Sequence, residues 1–171
     1  MKSLYKSLLF IGLSNAGKTT LVGSLLSLFN GHHISSTIQS NYLNIHHCRK
    51  GAFHYFLIDL NGNVGNRHLW KHHLEDGVDV IVFVVDSADT DTIEEATTEL
   101  HYLLPLCSNT NIFIVANKQD KPGAITREEV LQRLYHTSMS QVKDVKVVDS
   151  VATSGFNVCE LMKLVRDLSW C

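Results

Sequence analysis

The sequence carries no surplus of charge of either sign. Lys and Arg number 15, Asp and Glu 17, and the formal net charge is −2 over 171 residues. Without a basic excess there is no electrostatic footprint for non-specific nucleic-acid binding. Long apolar runs are missing too. The longest, residues 81–85 with Val80 before it, falls far short of the roughly 20 residues of a membrane-spanning helix. Cysteine is scarce: Cys48, Cys107, Cys159 and Cys171 contain no Cys-x-x-Cys pair, which fits reduced thiols better than a disulfide framework or a zinc site. Proline is scarcer still, with Pro105 and Pro122 each just past a candidate element.

The opening Met1-Lys2-Ser3-Leu4-Tyr5-Lys6 has neither the apolar core nor the cleavage site of a secretory signal. Lys2 stands where N-myristoylation needs Gly, and Leu168 stands where a prenylation box needs Cys. The expectation is a cytoplasmic, monomeric protein without a lipid anchor, a partner being its route to any membrane. What is present supports a folded chain: 44% hydrophobic and 19% charged residues suffice for an ordinary core in one domain over residues 1–171. Histidine is frequent, 10 residues, with pairs at His32-His33, His46-His47 and His72-His73. Neighbouring side chains on a strand point to opposite faces, so such pairs chelate poorly and read as solvated surface.

Short β-like runs alternate with longer amphipathic stretches. Strands are expected at 4–13, 42–48, 52–59, 78–85, 111–116 and 145–148, with 42–48 and 52–59 joined as a hairpin by Arg49-Lys50-Gly51. Helices are expected at 18–29, 91–104, 127–135 (after Thr126 as N-cap) and 157–170. The alternation predicts an α/β domain with a mostly parallel sheet, whose ligand lies at the carboxyl ends of the strands.

The polar motifs fall at those ends. Gly12-Leu13-Ser14-Asn15-Ala16-Gly17-Lys18-Thr19 matches the phosphate-binding pattern G-x-x-x-x-G-K-[ST] between a strand and a helix. Its glycines let backbone N–H groups aim at phosphate oxygens, the Lys18 ammonium neutralises them, and the Thr19 hydroxyl can bind Mg²⁺. Asp59 ends an apolar strand, the usual place for a carboxylate that holds Mg²⁺ through water. Asn117-Lys118-Gln119-Asp120 follows another strand. A carboxylate there accepts from the guanine ring N–H and exocyclic amine, a pattern adenine does not offer. The Lys118 stem can cover the base, and Ala152-Thr153-Ser154-Gly155 can offer backbone N–H to the guanine carbonyl.

The set resembles the small GTPases, and among them the Arf/Arf-like family. The resemblance is carried by Gly12 to Thr20, Leu69-Trp70-Lys71-His72, Phe83-Val84-Val85-Asp86-Ser87-Ala88-Asp89, Ala116 to Asp120 and Ala152 to Gly155, spanning nearly the whole chain. It implies a P-loop NTPase fold with a six-stranded, mostly parallel sheet, one antiparallel edge hairpin strand and helices on both faces. It implies GTP/GDP and Mg²⁺ as ligands. Ser14, Asn15, Ala16, Gly17, Lys18, Thr19 and Thr20 would surround the phosphates. Thr37 and Gly62 would sense the γ-phosphate. Asn117, Lys118, Asp120, Ala152 and Thr153 would surround guanine, and Thr19, Thr37 and Asp59 would hold the metal. Lys18, Gly62 and Asn63 would form the catalytic set. Exchange factors, activating proteins and effectors are the implied partners, in intracellular trafficking or in cytoskeletal and ciliary regulation.

The departures are specific. The family's Asp-Val-Gly-Gly-Gln is here Asp59-Leu60-Asn61-Gly62-Asn63. Asn63 replaces the glutamine that orients the attacking water and is one methylene shorter. A misplacement of about 1 Å can cost on the order of 100-fold in rate. Slow hydrolysis is therefore expected, with no cis arginine finger evident. The family's effector-binding aromatic triad falls on Ser40, Ile58 and His73, and the amphipathic helix before the first strand has no counterpart here. Two readings stay open: a GTP-hydrolysing switch, and a GTP-loaded binding module (a pseudo-GTPase) with negligible turnover. A variant is similarity to the beta subunit of the signal-recognition-particle receptor, through Asp59-Leu60 and Val84-Val85-Asp86-Ser87-Ala88. A small-molecule kinase would need an Arg-rich lid, which the sequence lacks.

Overall fold

The computed structural model describes residues 4–29, 34–107, 110–134 and 145–168, with backbone alone at 34–37. Strands β1 (Leu4–Ile11), β2 (Ile34–Gln39), β3 (Leu43–Lys50), β4 (Phe53–Leu60), β5 (Val80–Asp86), β6 (Asn111–Asn117) and β7 (Val145–Asp149) form one sheet in the order β2-β3-β4-β1-β5-β6-β7. The sheet thus has seven strands rather than six. Only β3 runs against the others, and it lies inside the sheet because β2 adds to its outer side. The sequence of β2, Ile-Ser-Ser-Thr-Ile-Gln, has no apolar alternation, and it pairs through the main chain with one neighbour only.

β1 from Leu8 onward and β5 from Val80 to Val85 are buried on both faces, which explains their continuous apolar runs. Leu8 and Phe10 enter the core beneath α1 (Lys18–Ser27) and α5 (Val158–Asp167). Leu9 and Ile11 enter the opposite core beneath α2 (His68–Glu75), α3 (Ile93–Leu103) and α4 (Arg127–Leu134). Each core holds one inaccessible cysteine, Cys48 in the first and Cys107 in the second, and burial pushes both thiols up to about 11. Cys159 is exposed, and Cys171 lies outside the described residues. Among the described residues no helix is long and apolar enough to cross a membrane.

α2 has no counterpart among the expected helices. Only Trp70 and Leu74 of its eight residues are buried, too few to make a stripe in the sequence. α3 is shorter than expected because its ends tighten into 3₁₀ turns at Thr90–Thr92 and Leu104–Leu106. α4 begins with a capping box: the Glu129 N–H donates to the Thr126 hydroxyl at 3.2 Å, and the Thr126 N–H donates to the Glu129 carboxylate at 2.9 Å. The final helix ends at Asp167, and residues 169–171 lie outside the described residues.

His46 and His47 pair with opposite neighbours across β3 and point to opposite faces, as expected. His47 is not simply solvated, however. Its Nε2 lies 2.9 Å from Nδ1 of His54, and its ring stacks on Phe56 at 4.7 Å. His32-His33 lie outside the described residues. Among the described residues no group of three or more His, Cys, Asp or Glu could hold a metal.

β1 sits between β4 and β5, where the strand order reverses. In an open α/β sheet, that switch point is where a ligand crevice forms at the strand ends.

Candidate functional site

The phosphate loop leaves the carboxyl end of β1 and enters α1. Gly17 is the N-cap, at φ +96°, and a Cβ there would collide with the side-chain amide of Asn117. Glycine is thus required twice, for the left-handed backbone and for the close approach. The first turn of α1 has no acidic side chain, leaving its N-terminal field free for an anion. Lys18 is buried, and its Nζ donates to the Leu13 carbonyl at 2.7 Å. Burial lowers its pKa to about 8. Asp59 opposes that shift and the Arg67 guanidinium adds to it. A phosphate anion would relieve the cost of that buried cation.

Thr19 Oγ1 donates to Asp59 Oδ2 at 2.7 Å. The other carboxylate oxygen, Asp59 Oδ1, is buried and has no hydrogen-bond partner. A hydroxyl beside an orphaned carboxylate oxygen is a hard donor set that suits Mg²⁺. These groups open on a cleft of about 320 Å³, lined by Ser14, Asn15 and Gly17 to Thr20 of the phosphate loop, by Asp59 and Gly62, and by Asn41 and Asn44 of the β2–β3 region. Gly62 packs so closely on the phosphate loop that a Cβ would strike the Gly12 and Leu13 backbone.

Thr37 is not brought to this cleft. It pairs with His46, which pairs with Leu57, so Thr37 is two strands away from Asp59 and two residues short of its level. At ordinary sheet spacings that is about 12 Å between Cα atoms.

A second recess of about 190 Å³ adjoins the cleft through Gly17 and Thr20, which line both. Its other walls are Asn117, Lys118, Asp120, Lys121, Ala152 and Thr153. Lys118 adopts φ +64°, and its Nζ reaches Asp86 Oδ2 at 2.6 Å, which fixes the side chain along one wall. Asp120 is exposed at the mouth. Asn117 does something the sequence does not reveal. Its Nδ2 donates to the Ala16 carbonyl at 2.9 Å, and its Oδ1 accepts from Ser150 Oγ and from the Ala152 N–H, each at 3.0 Å. The side chain ties the phosphate loop to the loop after β7.

The residues after β4 form a network of their own. Asn61 Oδ1 accepts the Asn63 N–H at 2.8 Å, Asn61 Nδ2 donates to the Asn41 carbonyl at 3.3 Å, and the Trp70 indole donates to the Asn61 carbonyl at 3.3 Å. The Asn63 carboxamide caps the short 3₁₀ turn Val64–Asn66, accepting the Gly65 N–H at 3.3 Å. Arg67 donates to the Gly62 carbonyl at 3.1 Å and pairs with Glu95 and Glu99 of α3, each at 2.7 Å. Asn41, Asn44, Ser150 and Arg67 were not singled out by the sequence. Their roles depend on strand register and on contacts far apart in the chain, for which local spacing carries no signal.

The sequence and the fold both have counterparts among known proteins. A profile of the ADP-ribosylation factor family matches residues 2–168. ADP-ribosylation factor-like protein 8b of Arabidopsis thaliana is 36% identical over 132 residues, 76% of this chain and 70% of the relative. The Arl6 BBS3 small GTPase of Trypanosoma brucei, solved with the nucleotide analogue GppNp, superposes with a TM-score of 0.81 at 22% identity, over 95% of this chain and 96% of that one. A chain of the mammalian SRP receptor superposes at 0.78 with 21% identity, over 96% of this chain and all of that one (100%). Those two likenesses establish the fold, while the sequence match over nearly the whole length establishes the kinship: this chain belongs to the ADP-ribosylation factor family.

Proposed function

We propose that the chain is a guanine-nucleotide-binding switch that holds GDP or GTP with Mg²⁺ in the two joined recesses. One observation carries the reading: a phosphate-sized cleft and a base-sized recess share the Gly17 and Thr20 walls, with a buried lysine and an orphaned carboxylate oxygen beneath. Ser14 to Thr20 cradle the phosphates with backbone N–H groups, and Lys18 balances their charge. Thr19 and Asp59 hold Mg²⁺, which supplies neutralisation of phosphate charge when bound. Asp120 accepts the two guanine N–H groups, Lys118 covers the base, and the Ala152 and Thr153 backbone meets the guanine carbonyl.

Switching would follow from contacts that the γ-phosphate makes and its loss releases. Gly62 already lies against the phosphate loop, so a γ-phosphate there would meet its N–H. For Thr37 to reach the metal, β2 would have to leave β3, so that a strand edge is exchanged for a metal contact. Family membership supports a role in intracellular trafficking or in cytoskeletal and ciliary regulation. It also supports exchange factors, activating proteins and effectors as partners, and a cytoplasmic setting.

The second reading, a GTP-loaded module with negligible turnover, is favoured by a specific contact. The Asn63 carboxamide is occupied in capping the 3₁₀ turn and does not face the phosphate cleft lining. The deciding experiment is identification of the nucleotide retained after gentle purification with Mg²⁺, with GDP excluded from all buffers. Retained GDP supports turnover, retained GTP supports the loaded module, and retained adenine nucleotide overturns the guanine assignment.

A further inference from the structure

Asn44 stands directly opposite Asp59 in the β3–β4 pairing. Residues opposed in an antiparallel pair share a face, with Cβ atoms about 5 Å apart. Both residues line the phosphate cleft, on the side where Thr19 Oγ1 meets Asp59 Oδ2. Both also keep one buried side-chain oxygen without a hydrogen-bond partner, Asn44 Oδ1 and Asp59 Oδ1.

Buried polar atoms in native proteins are overwhelmingly satisfied, so an exception calls for a reason. Two such oxygens on directly opposed residues of a strand pair, both lining the cleft beside the Thr19 hydroxyl, lack a donor. A hydrated divalent cation supplies donors: Mg²⁺ dehydrates reluctantly and keeps several waters, whose O–H groups point outward.

We infer that Asn44 is an outer ligand of the metal site, its Oδ1 accepting a hydrogen bond from a water on the Mg²⁺ that Thr19 and Asp59 hold. This deepens the nucleotide–Mg²⁺ reading above and rests on it. The asparagine serves as a positioning residue, because it acts on the metal through water. Partners of this kind, removed one at a time, typically change metal affinity by 10- to 100-fold. Asn44 is the only residue of β3 that sits level with Asp59, so the metal and the pairing of β3 with β4 support one another.

The test uses release of N-methylanthraniloyl-GDP from the full chain, followed by fluorescence, as Mg²⁺ is varied and then removed with EDTA. Asn44→Leu is expected to need about tenfold more Mg²⁺ to slow release half-way. Asn44→Asp, which keeps acceptor oxygens, is expected to need no more than the natural chain. In EDTA all three are expected to release at one rate. The inference is overturned if the Mg²⁺ dependence of Asn44→Leu coincides with that of the natural chain. It is equally overturned if release quickens by the same factor with and without Mg²⁺, the mark of a purely structural side chain. Failure of the natural chain to retain the fluorescent GDP at any Mg²⁺ concentration overturns the nucleotide reading itself.

Discussion

The backbone N–H of Asn63 donates to the side-chain oxygen of Asn61 at 2.8 Å. That bond turns the chain so that the Asn63 carboxamide caps the 3₁₀ turn after it. A longer side chain at position 63 would still start from this orientation. Asn63→Gln alone is therefore expected to raise GTP hydrolysis by less than about threefold, whereas Asn63→Gln with Asn61→Gly is expected to raise it by more than about tenfold, a coupling of neighbours rather than a sum. Single-turnover phosphate release measures both. Equal gains from the single and double variants would show that Asn61 does not govern the orientation.

Asp120 and Asn117 belong to one motif but do different work. Asp120 is exposed at the recess mouth and takes no part in the loop network around Asn117. Asp120→Asn replaces two acceptors by an acceptor and a donor, matching xanthine, which carries a carbonyl where guanine has an amine. Competition binding should show guanine affinity falling by at least about 100-fold and xanthine affinity rising, with the melting temperature of the nucleotide-free chain nearly unchanged.

Asn117→Ala should show the opposite signature. It breaks three buried hydrogen bonds linking residues 16, 150 and 152, and leaves the Ala16 carbonyl and Ala152 N–H unsatisfied. Nucleotide-free stability is expected to fall by about 2–4 kcal/mol. Urea unfolding in EDTA measures it, and an unchanged midpoint would mean the three loops hold together without this side chain.

Lys18 makes binding depend on pH in a defined direction. In the free protein its proton is lost near pH 8, since burial lowers it to about 8. Phosphate raises that pKa again, so binding takes up a proton once the pH exceeds about 8. Affinity is expected to be nearly flat below pH 7 and to weaken by about tenfold between pH 7 and 9. Calorimetric titration in buffers of different ionisation enthalpy checks both the affinity and the proton uptake. A flat profile to pH 9 would mean that Lys18 stays charged without phosphate.

The parts of the fold that the sequence shows are those dictated by one neighbourhood at a time. β5 and the second half of β1 announce themselves because burial on both faces demands an unbroken apolar run, and the phosphate loop because its glycines, lysine and threonine fall within eight residues. β2 is hidden because Ile34 to Gln39 form an edge strand with one main-chain neighbour, where side-chain pattern is weakly constrained. α2 is hidden because two apolar residues, Trp70 and Leu74, anchor it. At the site, identity was legible and role was not. Asn117 is visible as part of a guanine motif, yet its contacts run to residues 16 and 152, and Asn44 acquires meaning only from a register set by the whole hairpin.

The two buried cysteines turn the sheet into a partition that can be interrogated from each side. Cys48 lies in one core and Cys107 in the other, both protonated in the native fold at neutral pH because burial pushes them up to about 11. Thiol reagents attack thiolates, so neither cysteine should react until its own layer of helices lifts away. With Cys159 and Cys171 changed to serine, the two labelling rates become independent clocks. One reports how often α1 and α5 part from the sheet, the other how often α2, α3 and α4 do. Nucleotide, seated across the end of β1, should slow both clocks if it locks the halves as one unit, and only the first if its grip stops at the phosphate loop.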